Sequence, residues 1–183
     1  MTDLYAYKDP AVTAEQREKV RGRLYTMLLE SLMRHHECLR QGHGLPFSAL
    51  ATVPSTSGRV GPHPLEFMLG MFDPAIRRAR VSYIGPTGLD AVARRIFDPS
   101  RFRANRNQVG GRHVLLLEDT WVSGGRTQSV AAALKAAGAA RVSVVTLGRE
   151  LKPSYGPTRE YLRTHEQRPF DPAICPVTGQ RHQ

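Results

Sequence analysis

The chain has 183 residues, 40% hydrophobic and 23% charged, which excludes a disordered chain and fits one folded domain with a real core. Twenty-six Lys and Arg against 16 Asp and Glu leave a net charge of +10, so a polyanionic partner is implied, either nucleic acid or a substrate with several phosphates. No apolar run approaches the ~18 residues that cross a membrane, the first ten residues show no basic-then-apolar leader, and Cys38 and Cys175 stand too far apart in sequence to imply a disulfide framework. A cytoplasmic location is expected.

In chain order, Thr13-Ala-Glu-Gln16 has the form of a capping box. Val20, Leu24, Met27, Leu28, Leu32 and Leu39 recur at helical spacing behind it, predicting a long amphipathic helix over 14–39 that Gly42 and Gly44 stop. FSALATV at 47–53 reads as a strand ending at Pro54. Residues 64–72 look helical and 80–84 form a short strand, while 85–111 are polar, basic and turn-rich. Val114-Leu115-Leu116-Leu117 is an apolar run of the kind buried on both faces of a parallel sheet. An Ala-rich helix over 127–137 follows, stopped by Gly138, and 142–147 form a second buried strand. Five prolines then punctuate a tail with room for one short helix, 158–166. Alternating strand and helix predict an α/β domain with a central, mostly parallel sheet flanked by helices, its core at about 45–150. The long N-terminal helix and the Pro-rich C-terminal arm are expected as a hood on that single domain, 1–183.

Residues 113–126, HVLLLEDTWVSGGR, carry the most chemistry. Glu118 and Asp119 stand where the buried strand ends. Val122-Ser123-Gly124-Gly125-Arg126-Thr127 can wrap backbone N–H groups around an anion, and the helix behind adds its positive dipole end. A phosphate above paired carboxylates suits a sugar phosphate, because carboxylates accept hydrogen bonds from vicinal hydroxyls. This stretch resembles the ribose-phosphate-binding motif of the type I phosphoribosyltransferases: an apolar strand, two acidic residues, two variable ones, and a small-residue loop opening a helix. Val122 stands where that motif usually has Thr, and Arg126 precedes Thr127 where a small hydroxyl residue is usual.

The resemblance covers roughly residues 47–149. It implies binding of 5-phosphoribosyl 1-diphosphate with Mg²⁺ and transfer of the phosphoribosyl group to a nitrogen acceptor, releasing pyrophosphate. It assigns the ribose 5-phosphate to Glu118, Asp119, Val122, Ser123, Gly124, Gly125, Arg126 and Thr127. It assigns the pyrophosphate to Ser55, Thr56, Ser57, Gly58 and Arg59, after the first core strand. Residues 98–112 fall where the family carries a loop closing over the pyrophosphate. Arg101, Arg103 and Arg106 are then expected to act in catalysis beside Glu118 and Asp119, with Gly110-Gly111 as hinge. Mg²⁺ would arrive with the substrate, Asp119 being the one protein ligand considered.

Arg149-Glu150 end the last buried strand, on the side that lines the ligand crevice of open α/β sheets. His35, His36, Cys38 and His43 lie early, and His165, Cys175 and His182 late; a four-ligand metal site would need both ends together, for instance Cys38 and His43 with Cys175 and His182. Whether they form one, and whether the chain pairs as a homodimer, stays open at this level. Two other classes also remain: a phosphoribosyl diphosphate sensor or nucleic-acid-binding regulator on the same fold, and an interaction protein without catalysis. No aromatic residues interleave with the arginines in a nucleic-acid motif, so nucleic acid is the less favoured partner.

Overall fold

The computed structural model describes residues 2–9, 11–40, 46–56, 65–70, 72–90, 92–154, 156–165 and 171–181. Among these residues the helices are α1 (Thr2–Ala6), α2 (Ala14–Arg40), α3 (Glu66–Leu69), α4 (Arg106–Val109), α5 (Gly125–Ala136) and α6 (Gly156–His165). The strands among them are β1 (Ala49–Thr52), β2 (Arg77–Arg78), β3 (Val81–Tyr83), β4 (Phe102–Ala104), β5 (His113–Trp121) and β6 (Arg141–Arg149). Single turns of 3-10 helix lie at Ala93–Arg95 and Pro99–Arg101.

Four strands form an all-parallel sheet in the order β2-β1-β5-β6, and β3 and β4 pair antiparallel in a separate ribbon. Successive side chains of a strand point to opposite faces, and the apolar run of β5 obeys this. Val114 and Leu116 join a core with Ala49, Ala51, Val130, Ala133 and Leu134 under α5. Leu115 and Leu117 join a second core with Leu24, Leu28 and Leu32 of α2. The domain is therefore α/β, with the parallel sheet buried between α5 on one face and α2 on the other. The N-terminal helix, expected as part of a hood, supplies a full layer of the core.

The capping box forms as spaced: Thr13 Oγ1 accepts from the Gln16 N–H at 3.3 Å, and Gln16 Oε1 accepts from the Thr13 N–H at 3.3 Å. Gly138 ends α5 with φ +95°, a conformation that costs glycine little. Among the described residues of the helix expected over 64–72, Glu66–Leu69 are helical, and the strand expected over 47–53 pairs over Ala49–Thr52. The described residues of the weakly patterned stretch 85–111 are structured: both 3-10 turns and β4 lie against α5, and the Asp98 N–H donates to Ser129 Oγ at 2.7 Å. Gly110-Gly111 make a turn from α4 into β5, with the Gly111 N–H donating to the Gly138 carbonyl. Among the described residues, no helix is long and apolar enough to cross a membrane.

Candidate functional site

The alternation that builds the two cores also places the two carboxylates. Continuing past Leu117, Glu118 points to the α5 face and Asp119 to the α1–α2 face. Glu118, 2% exposed, takes the Arg126 guanidinium on Oε1 at 2.5 Å and the Thr127 hydroxyl on Oε2 at 2.7 Å, both from the first turn of α5. Asp119, 7% exposed, takes two partners on Oδ2: the Lys8 ammonium at 2.6 Å and the Tyr7 hydroxyl at 2.9 Å. Burial pushes the Glu118 carboxyl above its ordinary value, against the pull of Arg126 and Thr127. Burial acts the same way on Asp119, but Lys8 and Tyr7 outweigh it and hold that carboxyl below its ordinary value.

Between β5 and α5, Gly124 adopts φ +80°. A side chain there would run into the Trp121 ring, and a Cβ on Gly125 would run into the Arg95 carbonyl oxygen. Both glycines are required by close approach of their neighbours, and Ser123 adds a hydrogen bond from its hydroxyl to the same Arg95 carbonyl at 3.2 Å. Above the loop lies a cleft of about 220 Å³. Glu118, Asp119, Val122, Ser123, Gly124, Arg126 and Thr127 line it from the β5–α5 corner; Tyr5, Lys8, Arg95 and Glu150 complete it. Gly125, predicted with this set, is buried beneath Arg95.

The remaining expected residues divide between two places. Ser55 lines a second, wider groove beyond the carboxyl ends of β1 and β2, with Arg78, Arg80, Arg103, Asn105 and Gln108. Thr56 is buried, and Ser57, Gly58 and Arg59 lie outside the described residues. Arg101 is turned inward, its Nε on Asp98 at 2.8 Å and its Nη1 on the Ala93 carbonyl at 2.8 Å. Arg103 faces the groove, and Arg106 is exposed on α4. At the end of β6, Glu150 rather than Arg149 faces the cleft, its N–H bonded to the Trp121 carbonyl.

Tyr7 and Lys8 were not legible as site residues. They sit more than a hundred positions from Asp119, in a segment without a motif, and only the packing of α1 against the sheet brings them there. His35, Cys38 and Cys175 also meet, each with one ligating atom within 4.8 Å of the others and all three buried. Burial opposes ionisation of Cys175, but the Thr178 hydroxyl and N–H and the Val177 N–H outweigh it and bring the thiol to about 7. His43 and His182, named with Cys38 and Cys175 as one possible set, lie outside the described residues.

No family model and no curated protein matches this chain. Among solved structures, the allosteric regulatory enzyme of purine biosynthesis is similar over 68% of this chain and 25% of its own length, at 17% identity and a TM-score of 0.41. A hypoxanthine phosphoribosyltransferase from Staphylococcus aureus is similar over 69% of this chain and 65% of its own, at 12% identity and a TM-score of 0.39. A hypoxanthine phosphoribosyl transferase of Trypanosoma cruzi is similar over 70% of this chain and 74% of its own, at 17% identity and a TM-score of 0.42. The chain thus spans a quarter of the first and just under two thirds of the second.

Proposed function

We propose that the cleft at the β5–α5 corner binds 5-phosphoribosyl 1-diphosphate and that the protein transfers its phosphoribosyl group to a nitrogen acceptor, releasing pyrophosphate. One observation carries this reading: two buried carboxylates at the carboxyl end of a central parallel strand share a cleft with a glycine loop that opens a helix. The loop N–H groups and the α5 dipole would take the 5′-phosphate. Asp119 would exchange Lys8 and Tyr7 for ribose hydroxyls, leaving the Lys8 ammonium to meet a phosphate oxygen. Glu118, tied to Arg126 and Thr127, would hold the first turn of α5 in place and bring negative potential toward the ring carbon as positive charge develops there.

The pyrophosphate would extend toward the chain leaving β1, at Ser55 and Thr56, with Ser57, Gly58 and Arg59 following. Support comes from register: β1 lies beside β5, and the Val53 N–H bonds to the Leu117 carbonyl, so Ser55 leaves the sheet one strand from Glu118. Arg103 faces that side; Arg101 is held by Asp98, so its role in the proposal is positioning. The protein alone does not fit a Mg²⁺ site. Both Glu118 oxygens and Asp119 Oδ2 already accept hydrogen bonds, and two cations stand beside the pair. Mg²⁺ would therefore enter on the diphosphate.

A second reading, a phosphoribosyl diphosphate sensor without turnover, is favoured by the Lys8–Asp119 pair, which fills the ribose end of the cleft from within the chain. Calorimetric titration with phosphoribosyl diphosphate, with and without Mg²⁺, tests both. Saturable binding that Asp119→Asn weakens about 10- to 150-fold, the range for a lost charged hydrogen bond, is the expected result. Unchanged affinity in both Asp119→Asn and Glu118→Gln would remove the reading. Pyrophosphate release across a panel of bases separates transferase from sensor.

A further inference from the structure

Outside the lining of the cleft, the C-terminal arm meets α2 through a cluster that the proposed reaction does not use. We propose that His35, Cys38 and Cys175 hold a structural zinc ion that ties this arm to the N-terminal helix.

The geometry is that of a nearly assembled site. Ligand atoms around a tetrahedral zinc lie roughly 3.5 Å apart, given Zn–S and Zn–N bonds of about 2.3 and 2.0–2.1 Å. The three atoms here lie within 4.8 Å of one another, so a small inward movement closes the set. His35 and Cys38 are three residues apart on α2 and share a face. His35 Nε2 lies 2.8 Å from the Pro172 carbonyl oxygen. A proton on Nε2, donated to that carbonyl, fixes the tautomer in which Nδ1 is the ligating atom, the outer-shell arrangement found around metal-bound histidines. From the arm, the Val177 and Thr178 N–H groups both donate to Cys175 Sγ at 3.4 Å. These two bonds hold the sulfur in place within its turn.

The packing of the arm argues the same way. Cys175 is 1% exposed, whereas its apolar neighbours Ile174 and Val177 are 50% and 54% exposed. The segment turns its large hydrophobic residues outward and buries a thiol beside another thiol and an imidazole. A short segment gains little from burying one cysteine. The turn around it is nonetheless closed: the Cys175 N–H donates to the Gln180 carbonyl and the Gly179 N–H to the Cys175 carbonyl, each at 2.8 Å, and Ile174 bridges Arg181. A turn this well formed, centred on a sulfur and held against a helix by two more soft or borderline ligands, suits zinc better than an apolar contact. Two thiolates with an imidazole select zinc over hard cations such as Mg²⁺ or Ca²⁺. Among the described residues, His35, Cys38 and Cys175 are the three ligands.

The test uses the full chain, purified without chelators and reconstituted with Zn²⁺ under reductant. One zinc per chain should survive gel filtration, measured by elemental analysis. Co²⁺ in its place should give tetrahedral d–d bands with a thiolate-to-metal charge-transfer band. Cys175→Ser and His35→Gln should each weaken zinc at least tenfold in competition with a chromophoric chelator. Chelation of the wild type should speed proteolytic cleavage of the arm. A wild-type chain that holds no zinc with both thiols titrating, or whose Cys38 and Cys175 are joined as a disulfide after reconstitution, overturns the site. So does a Co²⁺ spectrum without thiolate charge transfer, which needs no variant to fold.

Discussion

The β5–α5 corner and the groove beside the β3–β4 ribbon both lie beyond the carboxyl ends of parallel strands, yet they handle charge in opposite ways. In the corner, each carboxylate is buried and matched inside the chain, Glu118 by Arg126 and Thr127, Asp119 by Lys8 and Tyr7. Its glycines are demanded by the Trp121 ring and the Arg95 carbonyl. In the groove, the Arg80 and Arg103 side chains are exposed and make no ion pair among the described residues. A matched, close-packed corner selects by shape and hydrogen-bond pattern; an exposed cationic groove supplies attraction and speed of encounter. One ligand with a sugar end and a polyphosphate end would use both.

The glycines provide the largest test of that contrast. Gly124→Val combines a left-handed backbone, roughly 1–2 kcal/mol against an L side chain, with overpacking against Trp121, about 1–3 kcal/mol. Urea unfolding should show that loss even without ligand, and Gly125→Ala should be comparably damaging because the Arg95 carbonyl is backbone. Gly124 belongs to the loop expected to take the 5′-phosphate, but the Trp121 ring stands in the way of a side chain there before any phosphate does. A wild-type unfolding midpoint for Gly124→Val would show that the corner is not close-packed.

Acid should separate the two carboxylates. Asp119 titrates below its ordinary 3.8, so its stabilisation is present above that value and is lost as pH falls through the lower folded one. Glu118 has the opposite sign: its raised value means stability is regained as pH falls through it. Asp119→Asn should cost on the order of 1.5–3 kcal/mol at neutral pH and flatten the loss at the acid end. An acid limb identical to that of the wild type would mean that the Lys8 contact stabilises nothing.

The smallest effects should divide the arginines that sequence position groups together. Arg101→Ala removes the pair with Asp98 and a bond to the Ala93 carbonyl, a loss of about 1–2 kcal/mol in thermal unfolding. Arg103→Ala should leave stability within about 0.5 kcal/mol while weakening diphosphate binding and reducing its salt dependence. If Arg101→Ala proves as neutral as Arg103→Ala, the stretch before β5 is a mobile loop after all.

The features legible along the chain are those that short-range physics governs. The apolar run of β5, the Thr13–Gln16 cap, the stop at Gly138 and the small-residue turn after Asp119 each depend on residues within a few positions, and each stands where the pattern puts it. The strand period of two even implies that Glu118 and Asp119 face opposite ways. Tertiary structure alone decided what each would meet. Lys8 and Tyr7 reach Asp119 from 111 and 112 positions away, Arg95 closes over Gly125 from 30 positions upstream, and Cys175 reaches Cys38 across 137. Such pairings follow from which helix covers which face of the sheet, and that choice is made by the summed burial of two cores, where no short motif leaves a trace.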